Sequence, residues 1–182
     1  MERDIAGDNR LGRYWRDCCR FAWCAAGAGV SLGLVLWAVF PPASPFFLAS
    51  LGGSTIFLFG LTRAAAAQPR ALVGGHLGGA FLGILCYQCF GDALWIYGLA
   101  ASLTLVLMLL AKIMHPPAGA TPLIMVYAHA NFGALWRPVG LAVLLLMLAA
   151  ALWTRLTPGM VRYTVAWIEK SPPTMWWGGW DD

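Results

Sequence analysis

From Phe21 to Leu156 the chain is almost continuously apolar, and a pair of prolines interrupts the run twice. Pro41-Pro42 follows one long apolar stretch, and His115-Pro116-Pro117 follows another. Each pair opens a shorter apolar segment rich in Gly, Ser, Thr and Ala. That segment leads to an Arg beside a Pro (Pro69-Arg70, Arg137-Pro138) and then to a further long run. Proline lacks a backbone donor and blocks helix continuation. Lipid offers no partner for the freed groups, so a break at membrane depth persists only where protein or a water-filled cavity satisfies it. Breaks at corresponding points of two halves point to the binding site of a transporter.

Hydrophobic residues make up 60% of the 182 and charged residues 11%, against roughly a quarter charged in a soluble domain. The chain therefore reads as an integral membrane protein, expected in a bacterial inner membrane. The first residues are charged, and no cleavable leader is expected. The net charge of +4 is not a nucleic-acid footprint, because the basic residues sit at the ends of apolar runs where they set topology and meet headgroups. The odd count of five cysteines argues against a disulfide framework. Cys86-x-x-Cys89 reads as a pair of small apolar side chains, with redox or metal chemistry as the alternative.

The expected organisation is a cytoplasmic tail over 1–20, a membrane domain over 21–156 and a Trp-rich interfacial tail over 157–182 (Trp176, Trp177, Trp180). Long spans are expected at 21–40, 71–90, 93–114 and 139–156. Gly91-Asp92 makes a tight turn, 62–70 and 131–136 form loops, and 46–61 and 118–130 are shorter segments. If the short segments cross, Arg63, Arg70, Lys112, Arg155, Arg162 and Lys170 fall on the side of the Arg-rich tail and only Arg137 opposite. If they are re-entrant, Arg63, Arg70, Lys112 and Arg137 all fall outside. Cytoplasmic enrichment of Lys and Arg favours crossing with both termini inside. The fold class is thus all-α: a polytopic membrane helix bundle of four long spans plus two short or broken helices. Three crossings per half make the halves an inverted repeat. Gly74 and Gly78, Gly75, Gly79 and Gly83, and Gly29 and Gly33 recur at one-turn spacing, and those of the second long span mark a closely packed face.

His115-Pro116-Pro117-Ala118-Gly119-Ala120-Thr121 is the sharpest motif. A helix start carries free N–H donors and partial positive charge and suits an anion. Ser50, Gly52, Gly53, Ser54 and Thr55 occupy the segment after the first break. His76, in the Gly-rich span, either faces a cavity or bonds a backbone carbonyl. His115 is a ligand contact or a helix cap. Arg70 could clamp an oxyanion with its planar fork or anchor to headgroups; Lys112 steers anions or snorkels to the interface. His129 is expected at the interface, and a metal site from His76, His115 and His129 matches no ligand spacing on a helix pair. Acidic residues are absent between Asp17 and Asp92 and between Asp92 and Glu169. This disfavours paired-carboxylate catalysis and a cation pump, so no catalytic residue, metal or cofactor is assigned.

Ala49-Ser50-Leu51-Gly52-Gly53-Ser54, Phe59-Gly60, Gln68-Pro69-Arg70, Gly74-Gly75-His76-Leu77 and the 115–121 motif together resemble the HPP family of integral membrane proteins, over roughly Val30 to Leu156. Its members have usually been described as four-span proteins, and plant plastid and cyanobacterial members are associated with nitrite transport. The resemblance implies a transporter-like role, with nitrite or a similar small anion as substrate. The chain departs from the family pattern at Thr62-Arg63-Ala64-Ala65-Ala66-Ala67, where Ser and Pro are usual. It also departs in its Trp-rich tail, and the resemblance does not extend to the soluble regulatory domain that some members append.

The leading expectation is an anion permease, not an enzyme. It would bind substrate between two broken helix starts through Ser50, Gly52, Gly53, Ser54, Thr55, Arg70, His76, His115, Gly119 and Thr121. Expected partners are the anion, membrane lipid and further copies of the chain, with no nucleic acid. The alternative is a non-transporting accessory subunit of a larger membrane complex, and a weaker one is a metal- or redox-handling protein.

Overall fold

A computed structural model describes residues 2–39 and 45–172, with side chains over 12–39 and 49–172. The Pro41-Pro42 break and Trp176, Trp177 and Trp180 lie outside the described residues. Among these residues the chain is all-helical: α1 Glu2–Val39, α2 Pro45–Gly60, α3 Pro69–Phe90, α4 Leu94–Ala111, α5 Thr121–Tyr127 and α6 Leu141–Trp153. Short 3-10 turns occupy Ala65–Ala67, Pro116–Ala120 and Phe132–Leu135, and a π-helical turn covers Trp136–Gly140. Gly12–Val39, Pro69–Phe90, Leu94–Ala111 and Phe132–Trp153 are long and apolar enough to cross a membrane.

Several boundaries differ from the sequence expectation. The first span grows out of the N-terminal segment without a break, because α1 already begins at Glu2. The third long span stops at Ala111 rather than Met114. Lys112 takes a left-handed conformation (φ 53°, ψ 52°) that ends the helix ahead of the prolines, and His115 is extended (φ −132°, ψ 95°), as the residue before a proline prefers. The loop expected over 131–136 is helical, and Phe132–Trp153 approaches α6 through 3-10 and π turns that bend at Arg137 (φ −136°, ψ 117°). Gly91 forms the predicted turn after α3 at φ 82°, a region open to glycine at little cost.

The 16 residues of α2 extend ~24 Å at 1.5 Å per residue, short of the ~30 Å hydrocarbon core. Contacts nevertheless carry the second short segment from one end of the bundle to the other. At one end, Arg70 Nη2 donates to the Ala111 carbonyl at 2.8 Å. There too Gln68 Oε1 accepts from the Val165 and Ala166 amides beyond α6. At the other end His129 stacks on Tyr87 and bonds Asp92 at 2.8 Å. The chain from His115 to His129 thus runs alongside α3 from its start to its finish. In the same way α2 finishes at the end where α3 begins.

The core lies between α2, α3, α5 and α6, where Leu51, Leu58, Leu72, Ile84, Met125 and Leu146 have no exposed surface. The glycines of α3 are spent inside the bundle. A Cβ on Gly78 would meet Leu107 at 2.7 Å, and one on Gly83 would meet the backbone of Pro122 at 2.5 Å. Among the described residues Gly29 and Gly33 of α1 have open space beside them. Leu94, Trp95, Val106, Leu110, Leu148 and Leu152 face outward, as a lipid-contacting surface requires.

Candidate functional site

Ser50 and Ser54 lie one turn apart on α2 and so share a face. Opposite them are His76 of α3, His115 in the extended link before Pro116, and Thr121 at the start of α5. Their exposures are 1% for Ser50 and 0% for the other four. Glycines make the approach possible. A Cβ on Gly75 would stand 3.1 Å from His115 Cβ, and one on Gly53 would stand 3.0 Å from Pro117 Cβ.

Ser54 Oγ is 2.9 Å from Nε2 of His76 and 2.9 Å from Nε2 of His115. His76 Nδ1 is 3.0 Å from Thr121 Oγ1, which is 3.2 Å from Ser50 Oγ. His115 Nδ1 is 2.6 Å from the Ala66 carbonyl. Two further carbonyls serve as alternative acceptors: Pro117 O for Ser50 Oγ, and Ser50 O for Ser54 Oγ, each at 3.0 Å. The imidazoles sit 5.3 Å apart, centroid to centroid, and the Phe57 ring meets His115 edge-on.

With both rings neutral, one arrangement of hydrogens pairs both imidazoles, Ser54 and Thr121. A carbonyl only accepts, so His115 Nδ1 carries the proton, and in the neutral ring Nε2 is bare. A hydroxyl has one hydrogen, so Ser54 gives it to His115 Nε2. Ser54 then accepts from His76 Nε2–H, and the bare Nδ1 of His76 accepts from Thr121. The neutral cluster is thus a single chain of donors running from Thr121 through His76 and Ser54 to His115 and Ala66.

At the second break this differs from the cradle of bare amides expected between two helix starts, while the first break lies outside the described residues. Pro116 and Pro117 have no N–H, and the Ala118 amide is spent on the His115 carbonyl at 2.9 Å. Side chains supply the donors instead. Ser50, Ser54, His76, His115 and Thr121 come together, and Gly53 seats Pro117 against them. The other expected residues lie apart. Thr55 bonds back to the Gly52 carbonyl at 2.7 Å, and the space beside Gly119 is open. Arg70 is tied to Ala111, with its Nε buried and unpartnered. His129 is at the far end with Asp92, so the three histidines do not converge. Cys86 packs against Ile96, Ala100 and Val126, while Cys89 is exposed.

Gln68 and three backbone carbonyls were not anticipated as parts of the site. Gln68 is fully buried. Its Nε2 donates to the carbonyls of Thr62 (2.8 Å) and Ala64 (3.1 Å), and its Oε1 holds the segment after α6. An amide following four alanines in the loop was its signal. Ser171 extends the same strap by bonding Lys112 and Met114. The strap thus closes the end of the bundle nearest His115. Buried Tyr163 sits within it, and burial raises its phenol above the usual range. At the far end, hydrogen bonds from His129 and then Tyr97 hold the Asp92 carboxyl below its usual range.

Residues 15–163 match the family described as HPP, transmembrane region. Two transmembrane proteins of Dictyostelium discoideum are similar. One is 32% identical over 136 residues, 72% of this chain and 42% of that protein. The other is 31% identical over 134 residues, 71% of this chain and 45% of that protein. The chain thus spans less than half the length of these relatives. No solved structure matches. With the motif residues of both short segments gathered into one buried cluster and the match running through nearly all the membrane part, the chain belongs to the HPP transmembrane family.

Proposed function

We propose that this integral membrane protein is a permease for a small anion, with nitrite the first substrate to try. The observation that carries the reading is the closed cluster of imidazole and hydroxyl groups where the two short helices meet inside the bundle. Opening it strands buried donors, each costing about 1–3 kcal/mol if left unpaired. A small anion that takes Ser50, Ser54 and Thr121 hydroxyls and the His76 N–H removes that cost. The absence of acidic residues between Asp17 and Asp92 and between Asp92 and Glu169 leaves nothing in the cluster to repel it. In this reading the closed cluster is the occluded state, and access alternates as two halves rock about it. The Arg-rich end faces the cytoplasm.

Purified protein in liposomes tests this. Nitrite uptake above that of protein-free liposomes supports the reading, and equal uptake of nitrite and nitrate in both preparations overturns it. Recovery of a stoichiometric foreign membrane partner, with no flux, would favour the accessory-subunit alternative.

A further inference from the structure

We propose that Thr121, His76, Ser54 and His115 form a relay for a single proton, and that this proton is the coupling ion of the permease. The coupling rests on the permease reading, and the relay does not.

The geometry carries the relay through its spare acceptors. A proton reaching the Thr121 hydroxyl lets the original Thr121 hydrogen pass to His76 Nδ1, forming an imidazolium. Thr121 then donates to Ser50 Oγ at 3.2 Å, and the Ser50 hydrogen turns to the Pro117 carbonyl at 3.0 Å. Next, the His76 Nε2–H bond breaks as Ser54 Oγ gains that hydrogen. Ser54 gives its own hydrogen to His115 Nε2, and the charge moves to His115. Ser54 now donates to the bare His76 Nε2. Once His115 releases its Nδ1 proton both rings hold the opposite tautomers, so the reset turns both imidazoles over while the Ser54 hydroxyl rests on its alternative acceptor, the Ser50 carbonyl. One proton enters and one positive charge moves, and no polar group of the cluster is unpaired in any of the three states. A second proton would place two cations 5.3 Å apart without counter-charge, so the cluster holds one.

The surroundings leave the pair to answer to each other. Among the described residues the side chains and carbonyls that meet the two rings are Ser54, Phe57, Ala66 and Thr121, with Ser50 behind Thr121 and Gly75 against the His115 Cβ, and none of these is titratable. Arg70, earlier on α3, spends its Nη2 on Ala111. The outward proton of His115 lies on the Ala66 carbonyl, which does not keep it. Release therefore requires the turn at Ala65–Ala67 to move, and Gln68 ties that turn to the strap after α6.

Histidine nitrogen NMR on the full chain in nanodiscs, with nitrite flux measured under an imposed pH gradient, tests both parts. The neutral protein is expected to carry its protons on His115 Nδ1 and His76 Nε2. On acidification one added proton is expected to be shared between the rings. Sharing should vanish in Ser54→Ala, which confines the proton to one ring, and return in Ser54→Thr, which keeps the hydroxyl. Other neutral tautomers, two added protons, or sharing that survives in Ser54→Ala overturns the relay. Nitrite flux indifferent to the pH gradient overturns the coupling. Absent flux with the stated tautomers overturns the permease reading and supports the relay.

Discussion

His115 Nδ1 lies 2.6 Å from the Ala66 carbonyl oxygen, and this bond ties the Pro-Pro link to the turn between α2 and α3. It also orients the ring so that Nε2 meets Ser54. His115→Ala removes both partners and leaves a cavity, and each buried polar group left bare costs about 1–3 kcal/mol. A thermal unfolding scan in detergent should show a lowered midpoint relative to wild type. An unchanged midpoint would mean that the bond contributes nothing to the fold.

Close approach of α3 and α5 depends on the missing side chain at Gly83. An added Cβ would stand 2.5 Å from the Pro122 carbonyl oxygen and 2.6 Å from its Cα, and backbone cannot step aside as a rotamer can. Gly83→Ala should destabilise by about 1–3 kcal/mol, the range for overpacked cores. Gly98→Ala on α4 meets nothing within 4 Å and should be neutral or stabilise by up to ~1 kcal/mol through helix propensity. The two variants, compared by unfolding midpoint, should move apart in that order.

Gln68→Ala should loosen the strap. It leaves the Val165 and Ala166 amides and the Thr62 and Ala64 carbonyls without their side-chain partner. Amide exchange at 165 and 166 should rise by about tenfold or more, a factor of ten corresponding to ~1.4 kcal/mol. Exchange over α4 should stay as in wild type. Unaltered exchange at 165 and 166 would show that the strap is held by something else.

Asp92 sets a pH dependence at the far end. Its folded carboxyl is held below the ordinary value, so the folded state prefers the ionised form. That contribution is present above the ordinary carboxylate value and is lost as pH falls through the lowered one. Wild type should exceed Asp92→Asn in unfolding midpoint near neutrality, and the gap should close on acidification. A gap that widens toward acid would contradict the sign.

Much of the architecture was legible because membrane spans need length and apolarity alone. Spans near 21–40, 71–90 and 93–114 follow from uninterrupted runs, and the helices found, Pro69–Phe90 and Leu94–Ala111 among them, match these in place. The exact stops were not legible. Lys112 ends α4 by a left-handed turn, which no sequence rule assigns to lysine, and Arg137 bends the approach to α6. Of the site, His76, His115, Ser50, Ser54 and Thr121 could be named as polar groups in an apolar setting. Their bonding could not, because it depends on which glycines let α2, α3 and the Pro-Pro link touch. The partner of Arg70, the Ala111 carbonyl, was not legible either, because it follows from where α4 ends.

The central claim is that a small anion passes through the Ser50–Ser54–His76–His115–Thr121 cluster. Nitrite uptake into liposomes holding wild type, Ser54→Ala or Gly98→Ala, with each preparation checked for a folded, monodisperse protein, tests it most directly. Wild type and Gly98→Ala should take up nitrite alike, with Ser54→Ala at the level of protein-free liposomes. Uptake by Ser54→Ala equal to wild type would contradict the claim.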